Sequence, residues 1–269
     1  MKTRQLPALI MLAGSLACSL TGSPPSATPE PPTATTAPTG TPAPIGTVAV
    51  PEEAILITEP GPGSRVLSPI HIAGMANTTF EQHLGVRLLA DDGSELARSS
   101  TIINSEMGTR GAFALDLPFA LGIDRPGFIQ VFSDSPRDGG ITHLASVGVL
   151  LATSGPPDLR PAGVHLEDIQ ILQPAPGDSL RGGLVHVEGF GRAGFEQTLV
   201  IDILDMDGNV VGTVPVTVDS PEMGGAGSFR ADIFYTVTVE GPGRILVRDV
   251  SPAFGGDTHV ASVEVTIGP

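Results

Sequence analysis

Two copies of one short motif carry the residues best equipped to recognise a ligand. Phe80-Glu81-Gln82 recurs in the second half of the chain as Phe195-Glu196-Gln197. In each copy an aromatic ring stands beside a carboxylate and an amide, a combination that can form a recognition patch. The alternative is that the Phe fills the core, while Glu and Gln hold the neighbouring loop by hydrogen bonds to its backbone. Repetition favours the second interpretation, because repeated core residues usually serve packing whereas function sits on loops.

Two histidines also recur at equivalent positions. His143 shares strand parity with the apolar Ala145, and His259 shares it with Ala261. We therefore expect each histidine to cap the core at one end of its domain. A metal-binding or pH-sensing role is the alternative, since imidazole is a common metal ligand that titrates near neutrality. Core capping is the simpler interpretation, and the sequence predicts neither a metal site nor a cofactor.

An acidic segment of the second half invites comparison with a calcium loop. Asp205 and Asp207-Gly208 lie close together. If Gly208 took the glycine position of an EF-hand, the first and twelfth ligand positions would fall on Ile203 and Val214, which cannot coordinate calcium. The first half repeats only the final step, as Asp92-Gly93. We interpret both steps as tight hairpin turns, because Asp-Gly supplies the positive φ that such turns need. Loose calcium binding by acidic loops stays open.

The sequence contains no recognisable catalytic motif. It has no G-x-S-x-G nucleophile elbow, no H-E-x-x-H zinc motif and no glycine-rich phosphate loop after a strand. Lys2 is the only lysine and Cys18 the only cysteine, so the folded part offers neither residue as a nucleophile. We assign no catalytic residue and predict that the protein is not an enzyme.

Composition narrows the class of protein further. The formal net charge of −15 opposes binding to nucleic acid or to anionic lipid headgroups. The chain has 34 Gly and 26 Pro residues but no Trp, which indicates a turn-rich all-β protein. A length of 269 residues accommodates two domains of ordinary size.

The N-terminal segment has the features of an export signal. Lys2 and Arg4 precede a short apolar run, and we assign residues 1–17 to a signal peptide. The Ser-Leu-Ala-Cys segment ending at Cys18 resembles the lipobox of bacterial lipoproteins, which implies that Cys18 is diacylated and becomes the mature N-terminus. The alternative is ordinary cleavage after Ala17, which leaves a secreted chain with a free thiol. Residues 18–53 are rich in Pro and Thr and are predicted to form a disordered stalk.

The rest of the chain is a tandem repeat. Gly74–Gln82 returns as Gly189–Gln197, and matching residues flank both stretches. Short runs with period-two alternation of apolar residues predict antiparallel strands, six or seven in each copy. This is the size of an immunoglobulin-like β-sandwich. We assign one such domain to residues 54–152, a Pro-rich linker to 153–166 and a second domain to 167–269, and we expect the two to be strung end to end.

Four parts of the repeat carry a family resemblance. They are the pattern P-x-x-G-x-x-V-x-S-P-I-x-I-x-G-x-A from Pro60 to Ala76, Phe80-Glu81, Asp92-Gly93, and the closing S-x-x-x-G-G block from Ser135 to Gly140. This arrangement resembles the immunoglobulin-like domain of bacterial spore germination, which often accompanies a GerM domain in exported lipoproteins. The resemblance implies a binding or structural module.

These observations predict a non-catalytic lipoprotein on the extracytoplasmic face of the cell membrane, or a secreted protein if Cys18 is not lipidated. Its two domains would serve as a structural or protein-interaction module, with an envelope protein or a cell-wall component as partner and no nucleic acid. Binding of a carbohydrate or another small ligand is the alternative. Sugar sites usually stack rings on aromatic faces, and this chain has no Trp and one Tyr, Tyr235.

Overall fold

The computed structural model describes residues 51–163, 165–194 and 196–269, all of which belong to one compact unit. The predicted signal peptide, Cys18 and the stalk up to residue 50 lie outside the described residues, as does Phe195. Among the described residues, no helix is long and apolar enough to cross a membrane.

In the part of the chain that the structure describes, each repeat contributes eight strands. The first repeat contains β1 (Ile55–Glu59), β2 (Arg65–Val66), β3 (Ile70–Ala76), β4 (His83–Ala90), β5 (Glu95–Ile102), β6 (Gly111–Leu117), β7 (Arg125–Asp134) and β8 (Ile141–Leu151). The second contains β9 (Ile169–Gln173), β10 (Ser179–Leu180), β11 (Leu184–Arg192), β12 (Thr198–Leu204), β13 (Val210–Thr217), β14 (Ala226–Phe234), β15 (Gly241–Val250) and β16 (Asp257–Ile267). A single turn of 3₁₀-helix, Phe80–Gln82, precedes β4.

The strands form two sandwiches that share one long sheet. That sheet runs in the order β13-β12-β15-β16-β8-β7-β4-β5, with the short β2 and β10 added in parallel to β8 and β16. A three-stranded sheet covers it in each repeat, β1-β3-β6 in the first and β14-β11-β9 in the second. The predicted all-β fold with two tandem immunoglobulin-like sandwiches is confirmed.

The alternation read from the sequence produces the two cores. In β4, Leu84, Val86 and Leu88 are completely buried, and Leu199, Ile201 and Ile203 are their counterparts in β12. Each such side chain contributes roughly 1.5–3 kcal/mol when it is removed from water. Because no disulfide joins the sheets among the described residues, this burial holds each sandwich together.

Both Asp-Gly steps form the predicted hairpin turns. Gly93 and Gly208 have φ values of 81° and 80°, which a residue with a Cβ rarely adopts. Asp205 supports the second turn, where its Oδ1 accepts hydrogen bonds from the backbone N–H groups of Asp207 and Asn209, both at 2.9 Å. Turn chemistry therefore accounts for this acidic segment.

The expectation that the domains are strung end to end is wrong. The domains lie side by side, because β8 and β16 pair antiparallel with Leu144 opposite Val260. These two side chains pack with Phe132 in a small apolar cluster of their own. The linker does not act as a spacer, since it runs back along the first domain, where Asp158 and Arg65 exchange backbone hydrogen bonds of 3.0 and 2.8 Å. Proline content indicates stiffness but not the direction in which a segment runs.

Candidate functional site

An approximate two-fold axis relates the two repeats at their junction. Leu144 faces Val260 across the β8–β16 pair, and these are equivalent positions of the two copies. A second antiparallel bridge joins Glu52 to Leu166, which are again equivalent positions. The junction therefore has the form of an isologous dimer interface within a single chain.

Four side chains converge between these two bridges. His143 Nε2 lies 2.9 Å from Glu53 Oε1 and 3.6 Å from Glu167 Oε1. His259 Nε2 lies 3.5 Å from each of the same two oxygens. One ligand atom of each residue lies within 4.8 Å of those of the other three. Each domain supplies one carboxylate and one imidazole, and we call this group the Glu₂His₂ cluster.

The outer oxygens of both carboxylates are held by backbone N–H groups of the opposite repeat. Glu167 Oε2 accepts a hydrogen bond of 2.8 Å from Ala54 N, and Glu53 Oε2 accepts one of 3.2 Å from Asp168 N. The two bonds are equivalent under the approximate two-fold axis. Both inner oxygens, Oε1, are consequently directed at the imidazoles.

The cluster is largely buried, and its charges act strongly on one another. Glu53 is 4% and His259 6% exposed, whereas His143 and Glu167 are half-buried. Burial by itself would lower the pKa of His259, but the hydrogen bond to Glu167 and the charges of Glu53, Asp168 and Glu167 raise it to about 9. Burial would raise the pKa of Glu53, but the hydrogen bond from His143 and the charge of His259 hold it below its ordinary value. Without a bound cation, the cluster is a buried ion-pair network.

Asp168 extends the cluster on the side of the second domain. Its Oδ2 lies 4.0 Å from His259 Nδ1, and burial raises the pKa of its carboxyl group. Its other oxygen lies 3.4 Å from Arg192 Nε. A cavity of about 80 Å³, lined in part by His165, Asp168 and His259, opens beside the cluster. Small ions can therefore approach His259 from this side.

The sequence suggested that each histidine caps the core of its own domain, but the structure places the two histidines together at the domain junction. Their rings meet each other edge to face with centroids 5.5 Å apart. Neither Glu53 nor Glu167 is among the candidate residues identified from the sequence. Glu53 lies at the end of the predicted stalk, residues 18–53. The available signal was their recurrence, because Glu53 and Glu167 occupy equivalent positions just before the first strand of each repeat.

The glutamines of the repeated motif act as loop clamps. Gln82 Nε2 donates hydrogen bonds to Ser105 Oγ at 2.8 Å and to Glu106 O at 3.3 Å. Gln197 Nε2 donates one of 2.9 Å to Glu222 O. The motif thus joins two loops at the same end of each domain, which is the structural role considered for the glutamine.

The aromatic residue of the first motif does not fill the core. Phe80 is 58% exposed, and Glu81 beside it is also exposed. The cause is local, since Glu81 and Gln82 have positive φ values of 53° and 56°, which turn the backbone so that Gln82 is buried instead. Glu196 and Gln197 have the same conformation, with φ values of 50° and 53°, and Glu196 is exposed.

No curated protein matches the chain. Among solved structures it is similar to dimeric latent PorU from Porphyromonas gingivalis, with 14% identity, a TM-score of 0.28, and coverage of 79% of this chain and 20% of that one. It is also similar to red sea bream transglutaminase, at 9% identity, a TM-score of 0.28, and coverage of 80% and 31%.

A third similar structure is that of the titin domains z1z2 in complex with telethonin, at 14% identity, a TM-score of 0.20, and coverage of 80% and 96%. The chain thus spans about a fifth of the first of these structures and about a third of the second. The family model of the immunoglobulin-like domain of bacterial spore germination matches residues 54–140 and again residues 168–256, and the chain therefore belongs to this family as a tandem pair of its domains.

Proposed function

We propose that the protein is a non-catalytic lipoprotein that is anchored through Cys18 on the extracytoplasmic face of the bacterial membrane. Its two immunoglobulin-like domains act there as an interaction module for another protein of the envelope. Domains of this family are typically non-catalytic, which supports the absence of an enzymatic role. The Ser-Leu-Ala-Cys segment and the Pro- and Thr-rich stretch after it support the anchor and the stalk.

One observation carries the interaction role. Phe80, Ile102 and Met107 are 58, 66 and 78% exposed, and we call these three residues the apolar tip. They belong to one end of the first domain, where Gln82 clamps the loop of Met107 and Ile102 pairs with His83 next to the helical turn. Exposed apolar side chains that are grouped at one end of a domain are typical of protein-binding surfaces.

The carbohydrate alternative is weakened by the placement of Tyr235. This side chain is 4% exposed, and its hydroxyl donates a hydrogen bond of 3.1 Å to Gly268 O. Its ring is part of the second core and presents no face on which a sugar could stack. An interaction with a protein therefore remains the better-supported proposal.

The anchor is tested by intact mass and detergent partitioning of the mature protein from its native envelope. We expect a diacylglyceryl mass increment and partitioning into the detergent phase, both of which are lost in Cys18→Ser. An unmodified, soluble wild-type protein would remove the anchor from the proposal and leave a secreted module.

The interaction role is tested separately by chemical cross-linking in intact cells. We expect the wild-type protein to cross-link to a partner protein and Phe80→Ser to lose that product. Ile123→Ser is the matched control, because Ile123 is 73% exposed in the same domain but lies outside the apolar tip. Equal cross-linking of both variants would show that the tip is not the binding surface, and lack of any protein product with wild type would contradict the module itself.

A further inference from the structure

We propose that Glu53, His143, Glu167 and His259 form a binding site for one divalent transition-metal ion of the zinc type, which joins the two domains. This inference does not depend on the partner or the anchor proposed above. It assigns a ligand to the junction of the repeats, where sequence reasoning expected no metal.

The distances between the imidazole nitrogens and the carboxylate oxygens are compatible with a tetrahedral site. Zinc lies about 2.0–2.2 Å from nitrogen and oxygen ligands, so neighbouring ligand atoms of a tetrahedron are separated by about 3.3–3.6 Å. The four imidazole–carboxylate distances in the cluster are 2.9, 3.6, 3.5 and 3.5 Å. The nitrogen–nitrogen and oxygen–oxygen separations are at most 4.8 Å, so all four atoms can close on one ion.

The donors select the class of metal. Two imidazole nitrogens and two carboxylate oxygens suit zinc and its neighbours, whereas calcium requires six to eight oxygens and magnesium an octahedral shell. Charge is also balanced in the metal-bound form, because a divalent ion that displaces the imidazole protons meets two carboxylates and two neutral imidazoles. All four donors come from the protein, which is the pattern of a structural site and not of a catalytic one with an open position.

The carboxylates are already oriented for this role. Hydrogen bonds from Ala54 N and Asp168 N hold the outer oxygens of Glu167 and Glu53, so that one oxygen of each group is left to bind as a single ligand. Such outer partners usually support metal ligands in proteins. Asp168 adds a carboxylate 4.0 Å from Nδ1 of His259, where it favours the tautomer whose Nε2 is free to bind.

Binding must be linked to docking of the domains. Glu53 precedes β1 and His143 lies in β8 of the first repeat, whereas Glu167 precedes β9 and His259 lies in β16 of the second. Neither domain alone supplies more than two donors from the cluster. An ion that requires all four therefore binds the docked form alone and stabilises it by mass action.

The test uses the full untagged chain, stripped of metal with a chelator and titrated with ZnCl₂ by calorimetry. We expect one ion per chain and a thermal midpoint raised by roughly 5–10 °C when free zinc exceeds the Kd about 100-fold. CaCl₂ and MgCl₂ should have little effect. Cobalt(II) should give the intense visible absorption of a tetrahedral site.

Glu167→Gln and His259→Gln serve as the test variants, since both keep the approximate shape of the replaced side chain. We expect each to weaken zinc binding at least about 100-fold. His186→Gln is the matched control, because His186 also lies within 3.5 Å of two carboxylates, those of Asp232 and Glu188, but on the surface. Circular dichroism establishes that each variant is folded.

The proposal fails if wild type binds no zinc stoichiometrically, or if either folded test variant binds as tightly as wild type. If only His186→Gln lost zinc binding, the zinc site would be the surface group around His186, and the proposed cluster would be refuted. A variant that does not fold is replaced by Glu53→Gln, which removes the equivalent ligand of the other repeat.

Discussion

The two repeats supply identical residues at the centre of the domain junction but different residues on its two flanks. At the centre both repeats supply the same residues, a Glu and a His each. On one flank the Phe128 ring packs against that of Phe254 at an interplanar angle of 51°, with ring centroids 5.3 Å apart. At the equivalent place on the other flank, Arg244 and Asp138 form an ion pair of 3.1 Å instead.

This difference follows from what each region must satisfy. The side chains of the centre meet at one shared point, so each repeat has to deliver the same atoms to it. A flank requires only that two facing side chains complement each other, and an aromatic pair and an ion pair both do so. Residues that are identical in the two copies therefore indicate a shared site at the centre of the junction, whereas on the flanks contact does not require identical residues.

The largest effect is expected at the charged flank. Arg244 is fully buried and the Asp138 side chain is 4% exposed. Arg244→Ala therefore removes the buried partner of this carboxylate, which keeps only the partly exposed Arg137 at 3.3 Å as a cationic neighbour. We expect a loss of about 3–5 kcal/mol in the free energy of unfolding, measured by urea denaturation. The double variant Arg244→Phe/Asp138→Phe copies the other flank and should recover most of this loss. If the double variant is as unstable as Arg244→Ala, the two flanks are not interchangeable.

The next effect concerns the centre. Because Glu53 and Glu167 are equivalent, Glu53→Gln and Glu167→Gln should weaken zinc binding by similar factors, each at least about 100-fold, or about 2.7 kcal/mol. Calorimetric titration of both variants in parallel measures the two factors. A difference greater than about tenfold would mean that the approximate two-fold symmetry of the cluster does not extend to its energetics.

The aromatic flank should respond less strongly. Phe254 is only half-buried, and Phe254→Ala removes its contact with the Phe128 ring. We expect a loss of about 1–2 kcal/mol, which is smaller than that of Arg244→Ala because no buried charge loses its buried partner. Urea denaturation under the same conditions ranks the two variants, and a reversed order would contradict this account of the flanks.

Local patterns predicted the strands but not the junction. Period-two alternation identified the interior of β4 and β12, since residues such as Leu84 and Leu199 are buried within their own domain. Glu53 and His143 meet Glu167 and His259 only because β8 pairs with β16. The alternation of apolar residues within a strand does not predict which strand edges will pair. The recurrence of His143 and His259 drew attention to half of the site, but not to the fact that the two residues touch.

The repeated motif was predictable to a similar degree. The clamp formed by Gln82 follows from the ordinary tendency of polar side chains to satisfy loop backbone. The exposure of Phe80 could not be predicted in this way, because it depends on positive φ values at Glu81 and Gln82 that these residue types rarely adopt.

The smallest effect is expected for substitutions in the two hairpin turns, at Gly93 and Gly208. Each turn lies close to a residue of the opposite repeat. A Cβ added to Gly93 would lie 2.8 Å from Cβ of Phe254, whereas one added to Gly208 would lie 3.3 Å from Cβ of Asp138. Both glycines have φ near 80°, so alanine carries a similar backbone cost of about 1–2 kcal/mol at either position. Gly93→Ala should lose about 1 kcal/mol more than Gly208→Ala, because only the aromatic flank becomes overpacked. Urea denaturation of the pair isolates this difference. Equal losses would show that the turn next to Phe254 can move away from it, and that the aromatic flank is less closely packed than the charged one.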